Sequence, residues 1–398
     1  MDNDTKTAPG LFLESVQIHA FRGLREIGLS DLARVNLLVG KNDSGKTSIL
    51  EALALFTTRL DIWEWAAIGR TRQVKTSARA MDSLSDIDAI RWMFPHDSIQ
   101  ESEDETHRPI TMTGTGRVVQ RHFSASCIRI RGIPPGADRA RSFFVENEPT
   151  AQSEIFAEGE NLTEDEGWLI SVDYTDQQNS ASPARGNLIR FSLWESLGLR
   201  QFPSRRPPGP DTMLLPPYAH RDQTLSLRLL THTIMADQKK EISDLLSRLD
   251  PDIRGIEIIT ISNGNRPAIA IRHAQSGLVP LSVLGDGVRR ALSIALAIRK
   301  AKDGLLLIDE IESALHVSAL SVLFPWMVEA CQTHNVQLIA TTHSLEAIDV
   351  IATLAVDGPA RDIAAYHLTG PSDTPAPPRR YTGGMLRRLV HEQGLDVR

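Results

Sequence analysis

The stretch Val39-Gly40-Lys41-Asn42-Asp43-Ser44-Gly45-Lys46-Thr47-Ser48 constrains this chain more than any other. It fits the spacing G-x-x-x-x-G-K-[ST] and lies between an apolar run, Val35 to Val39, and a helix-like run, Thr47 to Phe56. Strand, phosphate loop and helix are therefore expected in that order. Gly40 and Gly45 allow a tight turn that aims backbone N–H groups at a triphosphate, with Asn42, Ser44 and Ser48 as further candidate contacts. Lys46 is the candidate cation for the β- and γ-phosphates. The Thr47 hydroxyl is the candidate protein ligand for a hydrated Mg²⁺, a hard ion that prefers oxygen.

A chain of 398 residues that is 41% hydrophobic can bury a large core and has room for more than one domain. Its apolar runs, such as Ala295 to Ile298 and Leu305 to Ile308, are too short to cross a bilayer, and Met1 to Gly10 reads as a polar tail without the apolar centre of a signal peptide. A cytoplasmic protein with no membrane partner is expected. The two cysteines, Cys127 and Cys331, are too few and too far apart for a disulfide framework or a zinc cluster, and read as buried thiols. A formal charge of −7 argues against a surface coated in basic residues for nucleic acid, though not against a local patch.

Four segments follow from the pattern along the chain. Residues 1–60 hold a strand over Leu11 to Ile18 and the phosphate loop. Residues 61–220 read as an inserted, irregular lobe with short strands near Cys127 to Arg131 and Trp168 to Tyr174, and no chemistry is evident in it. Residues 221–250 carry helical periodicity. Residues 251–398 begin with two strands, Ile256 to Ile261 and Ala268 to Ile271, around the turn Asn263-Gly264-Asn265. A helix over Gly287 to Ala301, the continuous apolar run Leu305 to Ile308, a helix from His316 to Gln332 and a second apolar run, Val336 to Ala340, come next. The two apolar runs are expected to be strands buried on both faces of a mostly parallel sheet. The chain closes with a strand, Ala364 to Leu368, a Pro-rich joint and a helix, Gly384 to Glu392.

Carboxylates follow the first of these strands. Asp309 is the candidate holder of the Mg²⁺ shell, and Glu310 the candidate base for an attacking water, because phosphoryl transfer needs positioning and charge stabilisation more than covalent help. His343 follows the second strand and can reach the same sheet edge, where ligands of open α/β sheets gather. Leu284-Gly285-Asp286-Gly287 opens a helix and offers a second anion site, or simply a helix start capped by Asp286 between two turn glycines.

In order, Phe21-Arg22-Gly23, the phosphate loop, Leu284 to Arg290, Leu306 to Glu312 with Leu315-His316, and Thr341 to Ser344 resemble the ABC-type ATPase heads of the OLD and RecF-like AAA proteins. More distantly, they are similar to SMC heads. The resemblance implies an α/β P-loop NTPase head with a mostly parallel central sheet, interrupted by the inserted lobe. It implies ATP and Mg²⁺ as cofactors, Arg22 as a nucleotide contact and His343 as a switch histidine. Gly285, Asp286 and Gly287 would be the signature that touches the nucleotide of a second subunit, and Ser313 to His316 the loop at the interface of a homodimer. Three departures stand out: no serine at Gly285, Ala314 where the OLD pattern has glycine, and no assignable Q-loop.

The tail after His343 is short for the Toprim nuclease that many such proteins carry and contains no D-x-D pair. A separate effector protein is therefore expected, as in two-gene ATPase-plus-Toprim phage-defence systems such as PARIS. The alternative is a RecF-like repair ATPase that binds duplex DNA directly.

Overall fold

The structure, a computed structural model, describes residues 11–58, 61–72, 85–95, 106–116, 120–134, 164–177, 185–202, 211–261, 266–357, 362–369, 376–394 and 397. The polar tail, Pro203 to Pro210 and the turn Asn263 to Asn265 lie outside the described residues.

The chain opens with a hairpin of β1 (Ser15–Phe21) and β2 (Leu24–Leu29), then β3 (Val35–Gly40), which leads through the phosphate loop into α1 (Lys46–Thr57). Two short helices, α2 (Ile62–Gly69) and α3 (Asp86–Arg91), precede a meander of β4 (Thr106–Thr115), β5 (Gln120–Gly132), β6 (Asp165–Gln177) and β7 (Arg185–Trp194). Next come β8 (Thr212–Leu215), α4 (Gln223–Met235), α5 (Lys239–Leu249), β9 (Ile253–Ile261), β10 (Arg266–His273), β11 (Gly277–Pro280) and α6 (Asp286–Lys300). The last part holds β12 (Leu305–Ile308), α7 (Val317–Thr333), β13 (Gln337–Thr342), α8 (Leu345–Asp357), β14 (Ile363–Leu368), β15 (Arg379–Thr382) and α9 (Gly383–Arg387).

These strands form a six-stranded sheet of order β15-β14-β3-β13-β12-β8, parallel except for the edge strand β15, and a six-stranded antiparallel sheet of order β2-β1-β4-β5-β6-β7. A third, small sheet is β11-β10-β9. The α/β class with a mostly parallel sheet is as expected. Segment 61–220 supplies β4 to β7 to the antiparallel sheet that β1 and β2 begin, and β8 to the parallel one. The short strands expected near Cys127 and Trp168 are the middles of two 13-residue strands. The strand expected over Leu11 to Ile18 runs later, and it pairs with β2 and β4 rather than with the phosphate-loop strand.

Alternate residues of the parallel strands feed two separate cores. Leu306, Ile308, Leu338 and Ala340 pack with the helices α4 to α8, whereas Leu305, Leu307 and Ile339 pack with α1 and the antiparallel sheet. A strand with no solvent face favours apolar residues at successive positions, which is why Leu305 to Ile308 reads as an unbroken run. Helix α1 touches β1 on one side and β3, β8, β12 and β13 on the other, and is apolar nearly all round for the same reason.

Two amides close the polar ends of this layer. Asn36 accepts the Ala33 N–H at 2.8 Å and donates to the carbonyls of Ala33 and Leu338. Gln337 accepts the Leu13 N–H at 2.8 Å and donates to the carbonyls of Leu13 and Ala33. Replacing Gln337 by Ala would remove its bonds to the N–H and carbonyl of Leu13 and leave the Ala33 carbonyl to Asn36 alone, so a loss of about 2–4 kcal/mol is expected in urea unfolding. A loss below about 0.5 kcal/mol would show that water takes over these groups.

Candidate functional site

The phosphate loop owes its shape to two glycines whose neighbours leave no room for a side chain. Gly40 has φ 151°, and a Cβ there would lie 2.6 Å from the Leu368 carbonyl oxygen of β14; Gly45 has φ 87°, and its Cβ would lie 2.6 Å from Leu24. Inside the loop the Lys46 ammonium donates to the carbonyls of Gly40 at 2.7 Å and Lys41 at 2.6 Å, and lies 3.5 Å from Ser44 Oγ. Burial pulls its pKa below the usual lysine value, against the attraction of Asp309, Glu312, Glu310 and Asp43. A desolvated cation ringed by carbonyls is a strong anchor for an incoming anion. Asn42 sits exposed at the tip of the loop.

The end of β12 meets this loop through side chains. The Thr47 hydroxyl donates to both carboxylate oxygens of Asp309, at 3.2 and 3.0 Å. From β13, the Thr341 hydroxyl donates to Asp309 Oδ1 at 2.6 Å while accepting the Glu310 N–H at 2.8 Å. Thr341 thus orients both acids, a role that sequence reading left unassigned. Glu310 adopts a left-handed backbone, φ 45°, which turns its side chain out of the strand direction. Burial, then the charge of Asp309, raises its carboxyl above the usual range; Glu312 adds to this, and His343 and Arg290 oppose it.

His343 stands beside the acids, its backbone N–H donating to Glu312 Oε1 at 3.0 Å and its Nδ1 3.3 Å from the same oxygen. Its ring is half-exposed and free to meet a ligand from solvent. Arg290, in the first turns of α6, is fully buried. It donates to the carbonyls of Pro216 at 2.8 Å, Asp309 at 3.0 Å and Glu310 at 3.1 Å, and burial lowers its pKa to about 10. It thereby ties α6 to the acid-bearing turn.

Other expected residues lie apart from this cluster. Helix α6 starts at Asp286 with Gly285 as its cap, so the alternative of Asp286 as the cap does not hold; its carboxylate instead takes Arg289 at 2.7 Å and lies 3.5 Å from Arg221. Among the described residues no hydrogen bond joins Gly285, Asp286 or Gly287 to the phosphate loop. Gly287 faces the Ala314 carbonyl, 3.5 Å from where its Cβ would be. Ala314 has φ 64°, a left-handed conformation that favours glycine. Arg22 sits in the β1–β2 turn with its Nε 2.9 Å from Glu51 Oε2 and its Nη1 donating to the Trp92 carbonyl at 3.3 Å. Its guanidinium thus faces the buried flank of α1.

Elsewhere, Asp250, Asp252 and His273 approach one another within 4.8 Å. They are engaged in a turn, where Asp252 accepts Gln275 Nε2 at 2.6 Å, Asp250 accepts the Asp252 N–H at 3.0 Å and His273 Nδ1 accepts the Gln275 N–H at 3.3 Å. Both cysteines are buried, as expected, and burial pushes their thiols up to about 12, where they are inert at neutral pH. No helix among the described residues is long and apolar enough to cross a membrane.

Ionising Glu310 costs the folded state, because its folded pKa lies above its unfolded one. That cost is absent below the ordinary carboxylate range and complete above the raised value. Glu310→Gln should therefore melt at a higher Tm than the native chain near about pH 8, with the gap closing towards about pH 4. Equal melting temperatures across that range would mean that the carboxylate carries no such penalty.

Comparison with known proteins covers both halves of the site. Residues 12–108 match the family model described as an AAA ATPase domain, and residues 225–349 match an AAA domain model named for the AbiEii toxin of type IV toxin–antitoxin systems. An ATP/GTP phosphatase of Helicobacter pylori is 21% identical over 358 residues, covering 85% of this chain and 87% of that protein. The DNA replication and repair protein RecF of Idiomarina loihiensis is 42% identical over 45 residues, 11% of this chain and 13% of RecF. Among solved structures, an SMC head bound to the C-winged helix domain of ScpA aligns over 93% of this chain and 98% of its own, at 12% identity and a TM-score of 0.44. The SMC head domain from Thermotoga maritima aligns over 94% and 99%, at 12% identity and a TM-score of 0.39. The chain therefore carries AAA-type ATPase sequence in two stretches, 12–108 and 225–349, on an α/β fold with a phosphate loop.

Proposed function

We propose that the protein binds ATP with Mg²⁺ and hydrolyses it, and that two copies close around the nucleotide. The observation that carries this reading is the contact between Thr47 and Asp309, residues 262 apart in the chain, which sets a hydroxyl and a carboxylate side by side at the mouth of the phosphate loop. Both are hard oxygen donors and suit Mg²⁺, which would offset the charge of the phosphates. Lys46 exchanges its loop carbonyls for the β- and γ-phosphate oxygens. Glu310 accepts the proton of the attacking water, a task helped by a carboxyl pKa above the usual range. His343, steadied by Glu312, hydrogen-bonds the γ-phosphate or that water.

The second copy enters through Gly285 to Gly287. A Cβ at Gly285 would have nothing within 4 Å, so this helix start is open to an incoming anion. A two-fold axis would place it on the partner's nucleotide. From the motif resemblance we further infer that closure signals to an effector on another chain, a Toprim nuclease of an anti-phage system being the example.

Lys46→Ala should abolish ATP binding, while Glu310→Gln should bind ATP and lower phosphate release at least about a hundredfold. Mixing Lys46→Ala with Gly287→Arg should restore part of the ATPase activity, since one site of the heterodimer carries neither lesion. Heterodimers that form yet stay inactive would sink the shared-site reading, and unchanged turnover in Glu310→Gln would remove that residue as the base. The purified protein should also leave plasmid DNA intact with Mg²⁺ or Mn²⁺; cleavage that a substitution in this chain abolishes would contradict a separate effector.

A further inference from the structure

A titratable pair lies at the start of α6, outside the cluster at the phosphate loop. His220 stands in a single 3-10 turn, Ala219–Arg221, that follows β8, and only 4% of it is exposed. Its Nδ1 lies 3.1 Å from the Pro217 carbonyl. A carbonyl oxygen can only accept, so Nδ1 carries a proton and Nε2 of the neutral ring is a bare acceptor. That Nε2 is buried, has no hydrogen-bond partner among the described residues, and faces a second acceptor, Asp286 Oδ2, 3.7 Å away. With no donor between them, one buried hydrogen bond is left unmade.

The surroundings decide when a donor can appear there. Burial lowers the pKa of His220 most; Arg290 and Arg221 lower it too, while Asp286 and the bond to the Pro217 carbonyl raise it. The ring is therefore neutral at neutral pH and takes its second proton only in acid. Helix α4 packs against the same turn and begins at Asp222, whose carboxylate is occupied by the Leu225 N–H at 3.0 Å. Asp286 has Arg289 at 2.7 Å, on its own helix, and Arg221 at 3.5 Å, an exposed side chain that holds it loosely. One turn further along α6, Arg290 already joins the helix to the Pro216 carbonyl at 2.8 Å. The first turn of α6 is thus the part that is weakly tied to its neighbour.

We propose that His220 is a proton-operated latch on the start of α6. Neutral, it leaves Asp286 to Arg289 and Arg221; protonated from solvent, its Nε2–H donates to Asp286 Oδ2 and fixes the first turn of the helix to the segment Pro216 to Arg221. A charge-assisted bond formed at a buried edge is stronger than the exposed pair with Arg221. The latch itself stands apart from the nucleotide reading. Its consequence rests on that reading: Gly285 and Gly287 flank Asp286, so acid would restrain the helix start offered to a second copy.

The test is a double-mutant cycle in urea unfolding of the nucleotide-free chain, comparing native, His220→Gln, Asp286→Asn and the double variant at about pH 8 and about pH 5.5. Because the folded pKa of His220 is lowered, its protonation costs stability as pH falls through and below the ordinary histidine range, and Asp286 limits that cost. The coupling between the two residues should be below about twofold in the unfolding equilibrium constant at the higher pH and at least about threefold, stabilising, at the lower. Titration of the histidine Cε1 signals in the folded chain, with His220 assigned by its loss in His220→Gln, supplies the reading if the double variant fails to fold. Its midpoint should lie below the ordinary histidine value and fall further in Asp286→Asn. Equal coupling at both pH values, or a His220 midpoint that Asp286→Asn leaves in place, would overturn the latch. No nucleotide enters the experiment, so neither outcome touches the ATP reading.

Discussion

Burial of the parallel sheet on both faces governs everything else in this molecule. With α1 and the antiparallel sheet on one side and five helices on the other, β12 and the middle of β13, Leu338 to Ala340, carry only apolar side chains. Polar chemistry is thereby driven to the strand ends, where Asp309, Thr341 and the phosphate loop converge. At the opposite ends, Asn36 and Gln337 satisfy backbone groups of Leu13 and Ala33, which lie outside any strand. The site is a consequence of this layering as much as of its own residues.

Arg290 shows how tightly the ends are joined. Its guanidinium reaches three carbonyls, two of them belonging to Asp309 and Glu310, from a helix whose start carries Gly285 and Gly287. The same turn, through Ala314, touches Gly287 directly. A shift of α6 would therefore be felt at the acids without passing through solvent. Buried arginines are costly, and one retained here links two parts of the surface that stand apart from each other.

How much of this could be read beforehand depended on how local each signal was. The phosphate loop, the apolar runs Leu305 to Ile308 and Val336 to Ala340, and the acids Asp309 and Glu310 were legible because each declares itself within a few residues. The hairpin strand Leu24 to Leu29 was not, since it is a sheet edge whose Arg25 and Glu26 point outward. The edge strands Thr212–Leu215 and Arg379–Thr382 were too short and too near prolines to stand out. The long strands β4 to β7 bury one face only, at Ile110 and Met112 or Phe123 and Ala125 for example, and their polar face read as irregular chain. Thr341 and Arg290 gave no sign because their partners lie on other elements, so their meaning appears only once the fold is assembled.

The strand order also bears on the making of the protein. The phosphate-loop strand β3, complete by residue 40, is flanked by β13 and β14, which end at residues 342 and 368. On a ribosome the loop would emerge early and wait for nearly the whole chain before either neighbour existed to pair with it. Such distant pairing slows folding and leaves an apolar strand exposed meanwhile. The nucleotide site would then be among the last features of the molecule to form.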